Sequence, residues 1–360
     1  MIYVKSEELK AGMRLAKPIY NKRGILLYDR NDKITKQGIE SVKNFGLIGL
    51  YILEPAEPLP PMSEEEIEFE RFQTMAVFSL REDLDAIMRN EIPDNLMKQT
   101  DEIVSRFGNL YHKINFNQNL RSPEDYVYKH ALNVAILTAL ISHRAGLDVV
   151  RQNEVVVAAL LHDLGKLSLK PELRGKMENL SEEEMMTVAK AVIIGVDKIS
   201  NDIQMPAGVR SLLTQFCQVQ YLPEKAPDTI SEAVKILMVA NAYDEWTSMQ
   251  IDVAPHTEVE AVRMLLGSPK LYDVEMVKHL LDSIKILYPG VCVELTNLEK
   301  GLVLNENDKD ILRPVVLGFE HNQIYDLGVE NVYKKVQIKN IMKTMDNRIK
   351  VDPERLKEYM

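Results

Sequence analysis

The sequence predicts a mainly α-helical protein with a small mixed α/β unit at its N-terminus and a small β-rich unit at its C-terminus. Three observations predict it. From Ser122 to about residue 286, apolar residues recur at helical spacing almost without a break. At both ends of the chain the apolar runs shorten to strand length and are separated by Asn, Asp and Gly. Between the first unit and the helices, PAEPLPPM (55–62) holds four prolines in eight residues, which neither a helix nor a strand ladder can carry.

These observations set the expected boundaries. Residues 1–55 form the N-terminal accessory unit, with strand-like runs at 14–20, 24–28 and 47–53 and a helix over 35–45. Residues 56–62 are the proline-rich linker, and 63–121 are connecting helices. The first of these opens on a capping box, Ser63 with Glu66, and the second covers about 94–116. Phe69, Phe72, Met75 and Phe78 place apolar groups on more than one face of the first helix. Such a helix needs cover, either from its own chain or from a second copy, and a homodimer through 63–90 is one expectation. The helical domain spans 122–287, started by Ser122-Pro123-Glu124-Asp125. Its helices read as 123–145, 149–163, 181–200, 206–218, 229–249, 257–267 and 273–286. Residues 288–360 form the β-rich unit, with strands near 291–295, 301–304 and 315–319, and a charged, helical tail from 336.

Composition narrows the function. A chain of 360 residues can form two or three compact units, and 46% hydrophobic with 27% charged residues is ordinary for a globular protein. A net charge of −10 without a long Lys/Arg run argues against DNA as a partner. Cys217 and Cys292 lie far apart, outside any CxxC pairing, and read as buried thiols in a reducing cytoplasm. No signal-like N-terminus and no run near ~20 apolar residues is present, so a cytoplasmic chain without a membrane partner is expected.

The chemistry-bearing residues lie on the apolar helices. ALLHDLGK (159–166) ends a helix on His162 and Asp163, with Gly165 permitting the turn and Lys166 following. Adjacent His and Asp can ligate one divalent ion, and Lys166 can meet a phosphate oxygen. His130 lies about thirty residues upstream on a face with Tyr126, Val127, Val134 and Leu137, either as a ligand or as a hydrogen-bonded core residue. Downstream, AVKILMVANAYDEWTS (233–248) places Asn241 and Asp244 one turn apart.

Together these segments resemble the HD superfamily of metal-dependent phosphohydrolases, and more closely its HD-GYP branch. YKHALNVAILTALISHRAGLD is similar to the opening helix, VVAALLHDLGKLSLKPEL to the signature turn, and EAVKILMVANAYDEWTSM to the closing ligand helix. The similarity extends to the N-terminal accessory region and to the YP turn and β unit that follow the helices. It implies a helical HD-type bundle that hydrolyses cyclic di-GMP with two or three iron or manganese ions.

The resemblance also implies a degenerate site. His130, His162 and Asp163 keep ligand positions, and Lys166 keeps the phosphate-contacting one. The family's HPxxG reads AVIIG, so Ala191 stands where a histidine is expected. HHExxDGxGYP falls in SLLTQFCQVQYLPEKA, where only Tyr221 and Pro223 remain, and the last ligand aspartate is Asn241. His143 points off the opposite face of its helix, and His112, His256, His279 and His321 fall outside the motifs. Two readings follow. One is a non-catalytic signalling protein that binds a protein partner, itself or cyclic di-GMP, with no metal or a weakly held single iron or manganese. The other is a phosphodiesterase using one ion on His130, His162, Asp163 and Asn241. For nucleotide binding, Phe216 or Tyr221 is the aromatic expected to stack on a base.

Overall fold

The computed structural model describes residues 2–342 apart from 22–24, 54–62, 177–178, 200–202, 204 and 321. The linker at 56–62 and the tail beyond 342 therefore lie outside the described residues, as does His321.

The N-terminal unit is built from β1 (Ile2–Lys5), β2 (Arg14–Leu15), β3 (Ile19–Tyr20), β4 (Leu26–Tyr28), α1 (Lys36–Asn44) and β5 (Gly49–Leu53). Strand β5 is central in an antiparallel β1-β5-β2 sheet with Ile2 opposite Ile52, and β3 pairs with β4. Thr35 caps α1 by accepting from the Gly38 N–H. Val4, Leu15, Ile34, Val42, Leu50 and Ile52 close a small core of its own.

The helices run α2 (Glu64–Met88), α3 (Leu96–Phe107), α4 (Tyr126–Arg144), α5 (Val149–Leu161), α6 (Pro171–Arg174), α7 (Glu182–Lys198), α8 (Val209–Tyr221), α9 (Glu232–Thr247), α10 (Glu258–Gly267) and α11 (Val274–Leu281). Helix α4 is the axis: every residue from Tyr126 to Ser142 except Lys129 is buried. A helix apolar all round must be enclosed, and α4 is, by α2, α3, α5, α9 and α11. The capping box of α2 forms as expected between Ser63 and Glu66. Its buried side, which includes Phe69, Phe72, Leu80 and Leu84, is covered by α3 and α4 of the same chain, while Ile67 and Met75 stay exposed.

The C-terminal strands are β6 (Cys292–Leu295), β7 (Lys300–Asn305), β8 (Val315–Gly318), β9 (Gln323–Asp326) and β10 (Ile338–Met342), with the short α12 (Glu330–Tyr333) before the last. They form one antiparallel sheet in the order β10-β6-β7-β8-β9. Val293, Leu295, Val303, Val316 and Ile338 join the core of the helices.

Several expected boundaries move. The helix expected over 94–116 stops at Phe107, because Ile114 turns aside to bridge Ile284 and 117–121 continue as an irregular strap. The same bridge accounts for α11 ending at Leu281 instead of 286. Ser122-Pro123-Glu124-Asp125 is a turn before α4: the Asp125 Oδ1 accepts from the Ser122 N–H at 2.7 Å, and the helix starts at Tyr126. Within the tail expected to be helical from 336, Ile338–Met342 form β10, because pairing with β6 satisfies their backbone.

Candidate metal centre

Three helices and one turn deliver the site. His130 sits one turn into α4, Asn241 and Asp244 lie on α9, and α5 ends at Leu161 with His162 as its C-terminal cap. Asp163 then opens a single 3-10 turn, Leu164–Ser168, in which the Lys166 N–H donates to the Asp163 carbonyl at 2.9 Å. The turn packs against α7, where a side chain on Gly165 would collide with the Ala191 carbonyl.

The expected residues converge. His130 Nε2 lies 3.1 Å from His162 Nε2, and Asn241 Oδ1 is 3.0 Å from each of them. Asp163 Oδ2 is 3.5 Å from His130 Nε2 and 3.7 Å from His162 Nε2. Among the described residues, His130, His162 and Asp163 are the one group of three or more His, Cys, Asp or Glu placed to share an ion.

Outer contacts decide which way the rings face. His130 Nδ1 is 2.7 Å from Asp244 Oδ2. Burial alone would raise the Asp244 pKa, but Arg121 at 2.6 Å and the His130 hydrogen bond hold it well below the usual carboxylate range. An ionised carboxylate only accepts, so His130 Nδ1 is the donor. His162 Nδ1 donates to the Ala159 carbonyl at 2.7 Å. Burial, more than any other cause, lowers the His162 pKa to about 4, so its ring is neutral. His162 Nε2 therefore presents a lone pair, and His130 Nε2 and the amide oxygen of Asn241 face the same point.

Lone pairs facing one another at this spacing repel unless a shared proton or a cation lies between them. Ligands at adjacent positions of an octahedral ion with bonds near 2.1 Å sit about 3.0 Å apart, which is the spacing found here. Asp163 adds an anion: burial would raise its pKa, yet Lys166, His162 and His130 bring it down to about 2. Its Oδ1 is buried without a hydrogen-bond partner. The donor set fits one divalent cation held by His130, His162, Asp163 and Asn241.

Two neighbouring positions bring no metal-ligating atom. Ala191 offers a methyl, and Phe216 packs edge-on against the His162 ring at a centroid distance of 5.4 Å. Burial, with Asp163 nearby, pushes the Cys217 thiol up to about 12. The expectation that Phe216 could stack on a base is corrected by the structure: it is fully buried against His162, because α8 turns this apolar residue into the core. Tyr221 is half-buried with its hydroxyl near Lys166. Lys166 itself is paired 2.7 Å from Asp163 Oδ2, and its ammonium is held well protonated against the cost of burial.

None of His130, His162, Asp163, Lys166 and Asn241 is more than 4% exposed. A cavity of about 230 Å³ lies elsewhere, against Phe69, Phe72, Phe107 and Ile114 with Glu65 and Glu66 at its edge. His143 faces Tyr111 and His112 pairs with Glu65, away from the cluster as expected. Arg121, Gln118 and Asn133, which all bond Asp244, went unremarked in the sequence. Only the second acid on an otherwise apolar helix, Asp244, hinted at them.

Residues 127–245 match the HD domain family model. The chain is 23% identical over 221 residues to the cyclic di-GMP phosphodiesterase PA4108 of Pseudomonas aeruginosa, covering 58% of this chain and 53% of that protein. It is 25% identical over 181 residues to the cyclic di-GMP phosphodiesterase PdeB of Borreliella burgdorferi, covering 48% and 47%. The chain thus matches about half the length of these relatives. Among solved structures, Bd1817, a HDG"Y"P protein from Bdellovibrio bacteriovorus, aligns over 78% of this chain and 98% of that one, with 14% identity and a TM-score of 0.43. Among the described residues, no helix is long and apolar enough to cross a membrane.

Proposed function

The chain carries an HD domain of the HD-GYP family, and from that premise we propose that it is a non-hydrolysing signalling protein that works by binding. In this reading one divalent cation, iron or manganese, is held weakly by His130, His162, Asp163 and Asn241. When bound, the ion supplies positive charge to the converging lone pairs and locks α4, α5 and α9 together. His130 and His162 present their Nε2 atoms, Asp163 contributes the anionic charge, and Lys166 balances that charge 2.7 Å from its Oδ2.

The observation that carries the reading is closure of the site. A two-ion hydrolase clamps both the attacking and the leaving oxygen, and needs room for a phosphodiester beside its metals. Here the ligands are enclosed, Phe216 packs against His162, and Ala191 stands where the resemblance expects a histidine. The relatives act on cyclic di-GMP by name, which makes that dinucleotide the first small ligand to test, alongside a protein partner or a second copy.

Incubation of the protein with cyclic di-GMP and excess manganese tests the proposal, with linear dinucleotide followed by chromatography. The expected result is no product above a His162→Ala control. Turnover that disappears in that control would overturn it in favour of a single-ion phosphodiesterase.

A further inference from the structure

The strap between α3 and α4 touches the N-terminal unit on one side and Asp244, the carboxylate behind His130, on the other. On one side, the Arg121 carbonyl accepts from the Ile48 N–H at 2.8 Å, the Gln118 carbonyl accepts from Lys17, and Leu120 packs on the small N-terminal core. On the other, Arg121 Nη2 lies 2.6 Å from Asp244 Oδ2, and Gln118 Nε2 donates to Asp244 Oδ1 at 2.9 Å. Asn133 on α4 completes the cage, donating to Asp244 Oδ1 at 2.9 Å and to Gln118 Oε1 at 3.0 Å. Arg121 and Asp244 are both fully buried.

Asp244 Oδ2 therefore serves two partners at once, Arg121 and His130 Nδ1. Its position sets the tautomer and tilt of the His130 ring, and so where the Nε2 lone pair points. Its position is set in turn by a strap that the N-terminal unit grips at three points. Moving the strap moves a metal ligand.

We propose that Gln118 and Arg121 are positioning residues that couple docking of the N-terminal unit to cation binding at the HD cluster, acting through Asp244 on His130. The proposal rests on the single-cation reading above. Coupling of this kind is reciprocal: the cation tightens the grip of the N-terminal unit by the same factor that the grip tightens the cation. Whatever pulls the N-terminal unit away loosens the ion, and the reverse.

The test is a manganese titration of the full chain, with free ion counted by electron paramagnetic resonance. Leu120→Ala and Lys17→Met loosen the grip without touching a ligand, and Gln118→Ala removes one hold on Asp244. Each folded variant should bind manganese roughly 2- to 30-fold more weakly than the parent. In nitrogen-15 histidine spectra, His130 should keep its Nδ1 proton in the parent and share it between both nitrogens in Gln118→Ala. In the parent, manganese should slow hydrogen exchange at the Ile48 amide. Folded variants that bind as tightly as the parent would overturn the coupling while leaving the cation site intact. A parent that binds no manganese would overturn both. If the variants fail to fold, an Ile48 exchange rate that manganese leaves unchanged overturns the coupling on the parent alone.

Discussion

Gly165 and Gly195 meet backbone to backbone where the HD turn crosses α7. A side chain on Gly195 would overlap the nitrogen and Cα of Gly165, and one on Gly165 would overlap the carbonyl of Ala191. Neither has a positive φ, so close approach, not backbone freedom, demands glycine here. The contact holds the turn bearing Asp163 and Lys166 against the helix bearing Ala191.

Gly195→Ala should therefore force the turn away from α7. Overpacking against backbone has no flexible atom to yield, and a cost of about 1–3 kcal/mol is expected. A lowered midpoint in urea unfolding, with the slope unchanged, would confirm it. An unchanged midpoint would mean that α7 can slide, and that the contact is not fixed.

Asn241→Asp should bind manganese or iron at least about tenfold more tightly than the parent, by the scale of effects seen for groups around metal ligands. The residue is 2% exposed, and its Oδ1 already lies 3.0 Å from both imidazole nitrogens. The substitution changes charge with little change of shape. Without metal the same variant should be less stable than the parent, because it buries a second carboxylate in the cluster. Calorimetric titration and metal-free thermal melts read the two effects separately. Equal affinities would show that Asn241 does not face the ion.

Phe216→Ala should lower stability by about 3–5 kcal/mol, the usual cost of emptying a buried aromatic site. The ring is wholly buried and packs on His162, so its loss also removes the wall that closes one side of the cluster. Phosphate should then perturb the histidine resonances of the manganese-free variant but not those of the parent. Identical responses would place the closure elsewhere.

Asp83→Asn should stabilise the protein at neutral pH. Asp83 on α2 accepts from the Asn95 N–H at 3.0 Å, and its Oδ2 is buried with no hydrogen-bond partner. Burial raises its pKa, so ionisation costs more in the folded chain than in the unfolded one. The stability of the protonated form is fully present at low pH and is lost as pH rises through the raised pKa. An amide keeps the acceptor and never ionises. The gain in melting temperature should be full at pH 7 and fade as pH falls through that pKa. A gain independent of pH would show that the charge of Asp83 is not its cause.

The sequence by itself determined the helical class and the strand-bearing ends, and singled out His130, His162, Asp163 and Asn241 as candidate donors. Apolar spacing is a local property, and polar residues on α4, α5 and α9 stand out against it. The two glycines that seat the turn were also visible, one in ALLHDLGK and one in AVIIG. Only the tertiary structure decided that His130, His162 and Asn241 meet at 3.0–3.1 Å, that Lys166 is consumed by Asp163, and that Phe216 seals the site. The strap was not foreseen, since 108–116, which lead into it, read as helix. Its role comes from Arg121 meeting Asp244 across 123 residues of chain. No periodicity encodes such a pair: each partner's reason for being buried lies in the other, and the fold alone brings them together.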